Sequence, residues 1–342
     1  MADRHADEDF IDQQASERRT QHTGEHLLAK FNRLTRSTAA EAGTDGVVCG
    51  FEGTRIQVRN ADGAERPCEI RSALTKMLSG VKSPLCIGDR VRFQTLEDGT
   101  SVIVALLERQ NQLVRTDSHN RALLHVFAAN VDHLVIVASA AEPALKPGLI
   151  DRYLLIAHLF EVAPLVVLNK SDLAETDSWA RLYRRLDYPV FQTVAGGPAG
   201  TLDGLQDHLA GHTCVLAGQS GVGKSSLINS LAPDLDIRIG STSTAVHKGR
   251  HTTTAARSYV IGRDITIMDT PGIRECGIPP IEPLDVALLY RDIASHHHDC
   301  RFPDCTHTHE PHCAVKAAVE AGKLAASRYD SYRSILDEDL AG

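Results

Sequence analysis

No run of eighteen or more apolar residues occurs in this 342-residue chain, which excludes a membrane-spanning helix. The opening stretch "MADRHADEDFIDQQASERRT" lacks the apolar core of a secretory signal, so a cytoplasmic setting and no membrane partner are expected. Nor is there an excess of positive charge: 36 Lys and Arg stand against 44 Asp and Glu, a formal balance of −8. A uniformly basic nucleic-acid binder is thereby excluded, and any RNA contact must come from a local patch. A disulfide framework is equally unsupported, because eight cysteines are spread over a long chain without an export signal. Three of them crowd between Cys300 and Cys313, which points to a metal.

What is present divides the chain into four parts. Residues 1–43 carry few large apolar residues and read as a mobile tail. Residues 44–110 hold short β-type runs ("GVVCGF", "TRIQVRN", "RPCEIR", "GDRVRFQT", "TSVIVALL") broken by Asp62-Gly63 and Asp98-Gly99. About five short strands in that length predict a small closed barrel of the OB type. Such barrels bind RNA or protein; here Arg55, Arg59, Arg71, Lys76, Lys82, Arg90 and Arg92 supply charge, and Phe51 and Phe93 are the aromatics. From 111 to 280, buried runs such as "HLVIVAS", "PLVVLNK" and "TCVLAG" alternate with helical segments. That alternation predicts a mostly parallel sheet with helices on both faces. Residues 281–342, with 11 Asp and Glu against 6 Lys and Arg, read as helices around the cysteine cluster. A multidomain α/β protein is expected.

The stretch Gly218-Gln219-Ser220-Gly221-Val222-Gly223-Lys224-Ser225-Ser226 fits the phosphate-loop pattern between a predicted strand and a predicted helix. Glycines let backbone N–H groups turn toward phosphates, Lys224 reaches the β- and γ-phosphates, and the Ser225 hydroxyl suits Mg²⁺. In "YVIGRDITIMDTPGIREC" the strand ends in Asp269, placed to hold Mg²⁺ through water, and the Gly272 N–H is placed to sense a γ-phosphate. The polar stretch "GSTSTAVHKGRHTTTAAR" between them reads as a switch loop in which Thr252, Thr253 or Thr254 completes the Mg²⁺ shell. No Asn-Lys-x-Asp follows Ser226. It lies upstream instead: Asn169-Lys170-Ser171-Asp172 ends a buried run, and a carboxylate there accepts from the guanine N1–H and 2-amino group while the Lys170 stem packs over the ring. Base reader, phosphate loop, then switches is a circularly permuted order for a guanine-nucleotide site binding GTP and GDP.

Many switch GTPases carry a Gln directly after the glycine of the second switch to orient water; Ile273 occupies that position here. Slow intrinsic hydrolysis, completed by a partner, is expected. Within the switch loop His251 is the candidate for positioning water, with Arg250 beside it for charge.

Cys300, Cys305, His307 and Cys313 give C-x₄-C-x-H-x₅-C, three thiolates and an imidazole suited to one structural Zn²⁺ with no open position. His296, His297, His298, His309 and His312 compete for the imidazole place, and spacing alone does not separate them.

An OB-like barrel, a permuted nucleotide domain and this cysteine segment together resemble the bacterial RsgA family of small ribosomal subunit biogenesis GTPases, over about 44–340. The resemblance implies a GTPase stimulated by the small ribosomal subunit, touching its rRNA and proteins, that acts late in that subunit's maturation. It also selects His307 as the zinc ligand and places Thr193 and Ala195 in the guanine-contacting loop. A monomer is expected, since an asymmetric partner requires no symmetry. Two other readings remain: a nucleotide-gated RNA- or protein-binding clamp reset by turnover, and a permuted GTPase acting on another partner such as the large ribosomal subunit.

Overall fold

The computed structural model describes residues 42–53, 55–72, 74, 85–116, 124–198, 200–232, 256–270, 273, 278–279 and 281–337. Contacts divide the chain into two compact units, of which the larger spans Asn32–Leu145 and Val162–Gly277.

Its first element is a five-stranded barrel: β1 (Thr44–Glu52), β2 (Arg55–Asn60), β3 (Glu65–Ile70), β4 (Arg90–Thr95) and β5 (Ser101–Leu106). Alternation decides which side chains fill it, as in β4, where Val91 and Phe93 are buried and the intervening Arg92 faces outward. The strands pair in the order β1-β2-β3-β5-β4, with β3 and β5 parallel, and β1 pairs β4 to close the ring. That is the Greek-key order of an OB barrel. Val48, Ile56, Val58, Cys68, Leu85, Phe93 and Ile103 form its core.

A register shift between Val48 and Gly50 lets the end of β1 leave the barrel. Gly50 there pairs Arg257 of β12 (Arg257–Ile261), so barrel and nucleotide sheet form one hydrogen-bonded series of eleven strands. The Arg257 guanidinium donates to Glu65 at 2.9 Å and Glu52 at 3.4 Å, and Arg59 donates to the Ser258 carbonyl at 2.9 Å. In the chain, the separate two-stranded hairpin β6 (Gln112–Thr116) and β7 (Leu124–Ala129) comes between the barrel and the nucleotide strands. A buried ion pair fixes its approach: Arg109 donates to both Asp89 oxygens at 2.7 and 2.9 Å and to Gln112 at 2.9 Å.

The remaining strands are β8 (His133–Ser139), β9 (Ala163–Asn169), β10 (Val190–Thr193), β11 (Thr213–Ala217) and β13 (Ile265–Asp269). They run in the order β10-β9-β8-β11-β13-β12, all parallel except β12. Continuous apolar runs such as Leu165–Leu168 are buried because a parallel sheet is covered by its own connections. Leucines from the helices Asp203–Leu209 and Lys224–Leu231 pack against Val135, Val137, Val167, Leu216 and Ile267.

The second unit joins residues 278–342 to Lys146–Glu161. The helix Pro147–Leu159, which follows β8 in the chain, therefore belongs with the C-terminal helices Pro283–Leu289, Arg291–His297, Ala314–Glu320 and Ala326–Ile335, and it packs on the first and last of them. At its centre Arg328 is buried. It donates to Asp151 at 2.5 Å and to both Asp292 oxygens at 2.9 Å, with its guanidinium 4.5 Å from the Tyr290 ring centre. The stretch "EPLDVALLYRDIASH", one helix by pattern, is two: Tyr290 takes an extended ψ of 103°, which breaks the helix and buries its ring over Arg328.

Candidate nucleotide site and candidate metal centre

The parallel strands deliver the phosphate loop, the Asn169 to Asp172 turn and Asp269 to the carboxyl end of the sheet, where such sheets bind ligands. β11 ends at Ala217, the loop 218–223 turns, and the helix Lys224–Leu231 begins. Two glycines in the turn are required by close approach. A Cβ on Gly218 (φ 143°) would lie 2.2 Å from the Val137 carbonyl oxygen, and one on Gly223 (φ 94°) 2.3 Å from Nδ2 of Asn169. Lys224 folds back over the loop, donating to the carbonyls of Gly218 at 2.6 Å and Gln219 at 2.8 Å. Ser225 and Ser226 follow in the first turn of the helix.

Asn169, at the end of β9, is buried and ties three segments together. Its amide donates to the Val222 carbonyl at 2.9 Å; its oxygen accepts from Thr193 Oγ1 at 3.1 Å and Ala195 N at 3.0 Å. Lys170 (φ 57°) donates to the Gly221 carbonyl at 2.9 Å and to Glu142 O. Ser171 donates through N and Oγ to the Thr193 carbonyl at 3.2 and 3.1 Å, and Asp172 stands exposed beyond them. The loop after β10 thus meets the base-reading turn through Thr193 and Ala195. The loop after β8, carrying Glu142, is a neighbour that no sequence pattern announced. Asp269 closes β13 on the other side of β11, and Ile273 beyond it is buried. His251, Thr252, Thr253, Thr254 and Gly272 lie outside the described residues.

In the second unit, Cys300, Cys305, His307 and Cys313 present donor atoms that all lie within 4.8 Å of one another. Cys300 and Cys313 sulfurs are 4.0 Å apart, and His307 Nδ1 lies 3.6 and 3.3 Å from them. Tetrahedral Zn²⁺ with bonds of about 2.3 Å to sulfur and about 2.0 Å to nitrogen separates S from S by about 3.8 Å and S from N by about 3.5 Å, so the set fits the ion. Backbone N–H groups of Ala314 and Lys316 donate to Cys300 and Cys313 sulfurs at 3.3 and 3.5 Å, which favours thiolates. Burial, with the neighbouring Cys313 and Cys300 sulfurs, pushes the Cys305 thiol up to about 12; burial and the neighbouring His297 hold His307 down to about 4, neutral as a ligand must be. Among the competing histidines, His297 stands behind His307, its Nδ1 3.0 Å from His307 Nε2. The hydroxyls of Tyr329 and Tyr332 donate to the carbonyls of His307 and Thr306 at 2.6 and 2.7 Å, pinning the loop to the last helix.

A phosphate loop after β11 and a guanine-type reader after β9, at the carboxyl end of one parallel sheet and with the reader's strand earlier in the chain, define a circularly permuted P-loop GTPase. A family model described as RsgA GTPase matches residues 106–279. The small ribosomal subunit biogenesis GTPase RsgA of Pseudomonas aeruginosa (strain LESB58) is 40% identical over 300 residues, covering 85% of this chain and 84% of the relative. Its namesake from Saccharophagus degradans is 39% identical over 323 residues, 89% and 91% of the two chains. The crystal structure of YjeQ from Thermotoga maritima superposes with a TM-score of 0.68 at 30% identity, over 86% of this chain and 98% of that one. The chain belongs to the RsgA GTPase family.

Proposed function

We propose that this GTPase binds the small ribosomal subunit and acts in its late maturation, with GTP hydrolysis that the subunit stimulates. The curated relatives bear that role in their names over most of both chains. The observation that carries the stimulated-turnover part is Ile273, an apolar, buried residue where a water-orienting glutamine is common. A site without that group relies on its partner, which in this chemistry contributes about 10³–10⁵ in rate.

In this reading Asp172 accepts from the guanine N1–H and 2-amino group, and Lys170 covers the ring. Backbone N–H groups of 218–223 and Lys224 hold the phosphates. Ser225, Asp269 and one of Thr252, Thr253 and Thr254 hold Mg²⁺, which supplies charge neutralisation on the β- and γ-oxygens. Gly272 senses the γ-phosphate, and His251 orients water. The Cys300, Cys305, His307 and Cys313 set holds one structural Zn²⁺. The parts divide at 44–110, 111–280 and 281–342, and the protein works as a cytoplasmic monomer. No helix among the described residues is long and apolar enough to cross a membrane.

Turnover of GTP by the zinc-loaded protein, alone and with isolated small subunits, tests the proposal, with large subunits and ATP as controls. Many-fold stimulation by small subunits alone is the expected result. Equal stimulation by large subunits, or none, would transfer the family activity to another partner.

A further inference from the structure

His297 ends the helix Arg291–His297, three residues before Cys300, and is buried. Its ring stands edge-on to His307, with planes at 89° and centroids 5.0 Å apart. Both ring nitrogens meet polar atoms: Nδ1 lies 3.0 Å from His307 Nε2, and Nε2 lies 3.0 Å from the Pro303 carbonyl oxygen.

Only one arrangement of protons satisfies this chain of atoms once His307 gives the Nδ1 lone pair to the metal. The His307 proton must then sit on Nε2, because a neutral imidazole carries one. That N–H needs an acceptor, so His297 Nδ1 must be bare and its own proton must sit on Nε2. There it meets the Pro303 carbonyl, an acceptor and never a donor. The opposite tautomer of His297 would set two N–H groups face to face and aim a lone pair at a carbonyl. Pro303 lies between the ligands Cys300 and Cys305, so the relay returns to the loop that holds the metal.

We propose that His297 is an outer-sphere positioning residue of the metal centre, accepting the His307 Nε2 proton and thereby fixing both the tautomer and the ring plane of that ligand. This rests on the zinc reading of the Cys300, Cys305, His307 and Cys313 set. Outer-sphere partners of this kind typically account for about 10–100-fold in metal affinity.

The test uses the full chain. Zinc content of the wild-type protein is measured first; absence of stoichiometric zinc overturns the zinc reading, and with it this one. With zinc present, its transfer to the chromogenic chelator 4-(2-pyridylazo)resorcinol is timed for wild type, His297→Phe, His297→Asn and, as control, the exposed His309→Phe. His297→Phe keeps the ring volume but removes the acceptor, and its transfer is expected to be roughly 10–100-fold faster. His297→Asn, which restores an acceptor near the Nδ1 position, is expected to recover most of the loss, and His309→Phe to behave as wild type. Equal rates for His297→Phe and wild type, or equal acceleration by His309→Phe, would overturn the assignment while leaving zinc binding intact. Should His297→Phe not fold, ¹⁵N spectra of wild-type imidazoles decide: protons on Nε2 of both His307 and His297 support the relay, and a proton on His297 Nδ1 ends it.

Discussion

Asn169 holds the site's shape from within the fold. One carboxamide bonds the phosphate loop at Val222 and the loop after β10 at Thr193 and Ala195. Asn169→Ala leaves buried groups unpaired at about 1–3 kcal/mol each, so GTP affinity is expected to fall roughly 10–100-fold in a fluorescent-nucleotide titration. Asp172 is the contrary case: it is exposed, and in the proposed reading its carboxylate is the acceptor for guanine. Asp172→Asn swaps an acceptor for a donor opposite the guanine N1–H, so GTP is expected to weaken by roughly 10²-fold or more, with ATP binding unchanged. Undiminished preference for GTP over ATP in that variant would remove Asp172 from base recognition. Gly223 shows how closely these residues are fitted, since even a methyl group there would collide with Asn169.

Among the elements, the least expected association is that of the helix Pro147–Leu159 with the C-terminal helices. Its chain position predicts a sheet connection, and its apolar residues are equally suited to either neighbour. Asp151 decides the matter, because a carboxylate buried on that helix requires a buried cation, and Arg328 supplies one. Burial alone would lower the Arg328 pKa; the carboxylates of Asp151 and Asp292 outweigh it and hold the guanidinium charged. Arg328→Leu strands two carboxylates and is expected to cost about 3–5 kcal/mol, read from the urea midpoint of unfolding. By contrast, Arg257 at the seam between β1 and β12 is 40% exposed, so its ion pairs with Glu52 and Glu65 contribute only about 0–1 kcal/mol. The backbone pairing there, and the burial around it, hold barrel and sheet together.

At the scale of the molecule, partly buried histidines contribute to the acid limb of stability. Burial, then the positive charges of Arg291 and Arg328, hold His158 down to about 4 from 6.5, and burial also lowers His133 and His208. Between those values the unfolded chain binds a proton that the folded chain refuses. The contribution of His158 is therefore complete above about pH 6.5 and is lost as pH drops toward 4, by up to about 1.4 kcal/mol per pH unit. Urea midpoints should decline from pH 7 to pH 5, and His158→Phe should flatten that decline. A midpoint constant over this range would contradict the assignment.

Local patterns in the sequence by themselves determined the chemistry of this protein: the glycines and lysine of the phosphate loop, the Asn169 to Asp172 turn, and the cysteine spacing. Such motifs are legible because each uses contiguous residues whose backbone or donor geometry is dictated locally. Alternation in β1 to β5 made the barrel legible for the same reason. Only the tertiary structure decided what joins across distance. Glu142 came to Lys170, Thr193 and Ala195 to Asn169, Asp151 to Arg328 and Asp89 to Arg109. Six histidines near the cysteines had equal standing by spacing, and the fold placed His307 among the sulfurs and His297 behind it. A buried polar group must find its partner wherever packing delivers one, and packing is a property of the whole chain that no short stretch carries.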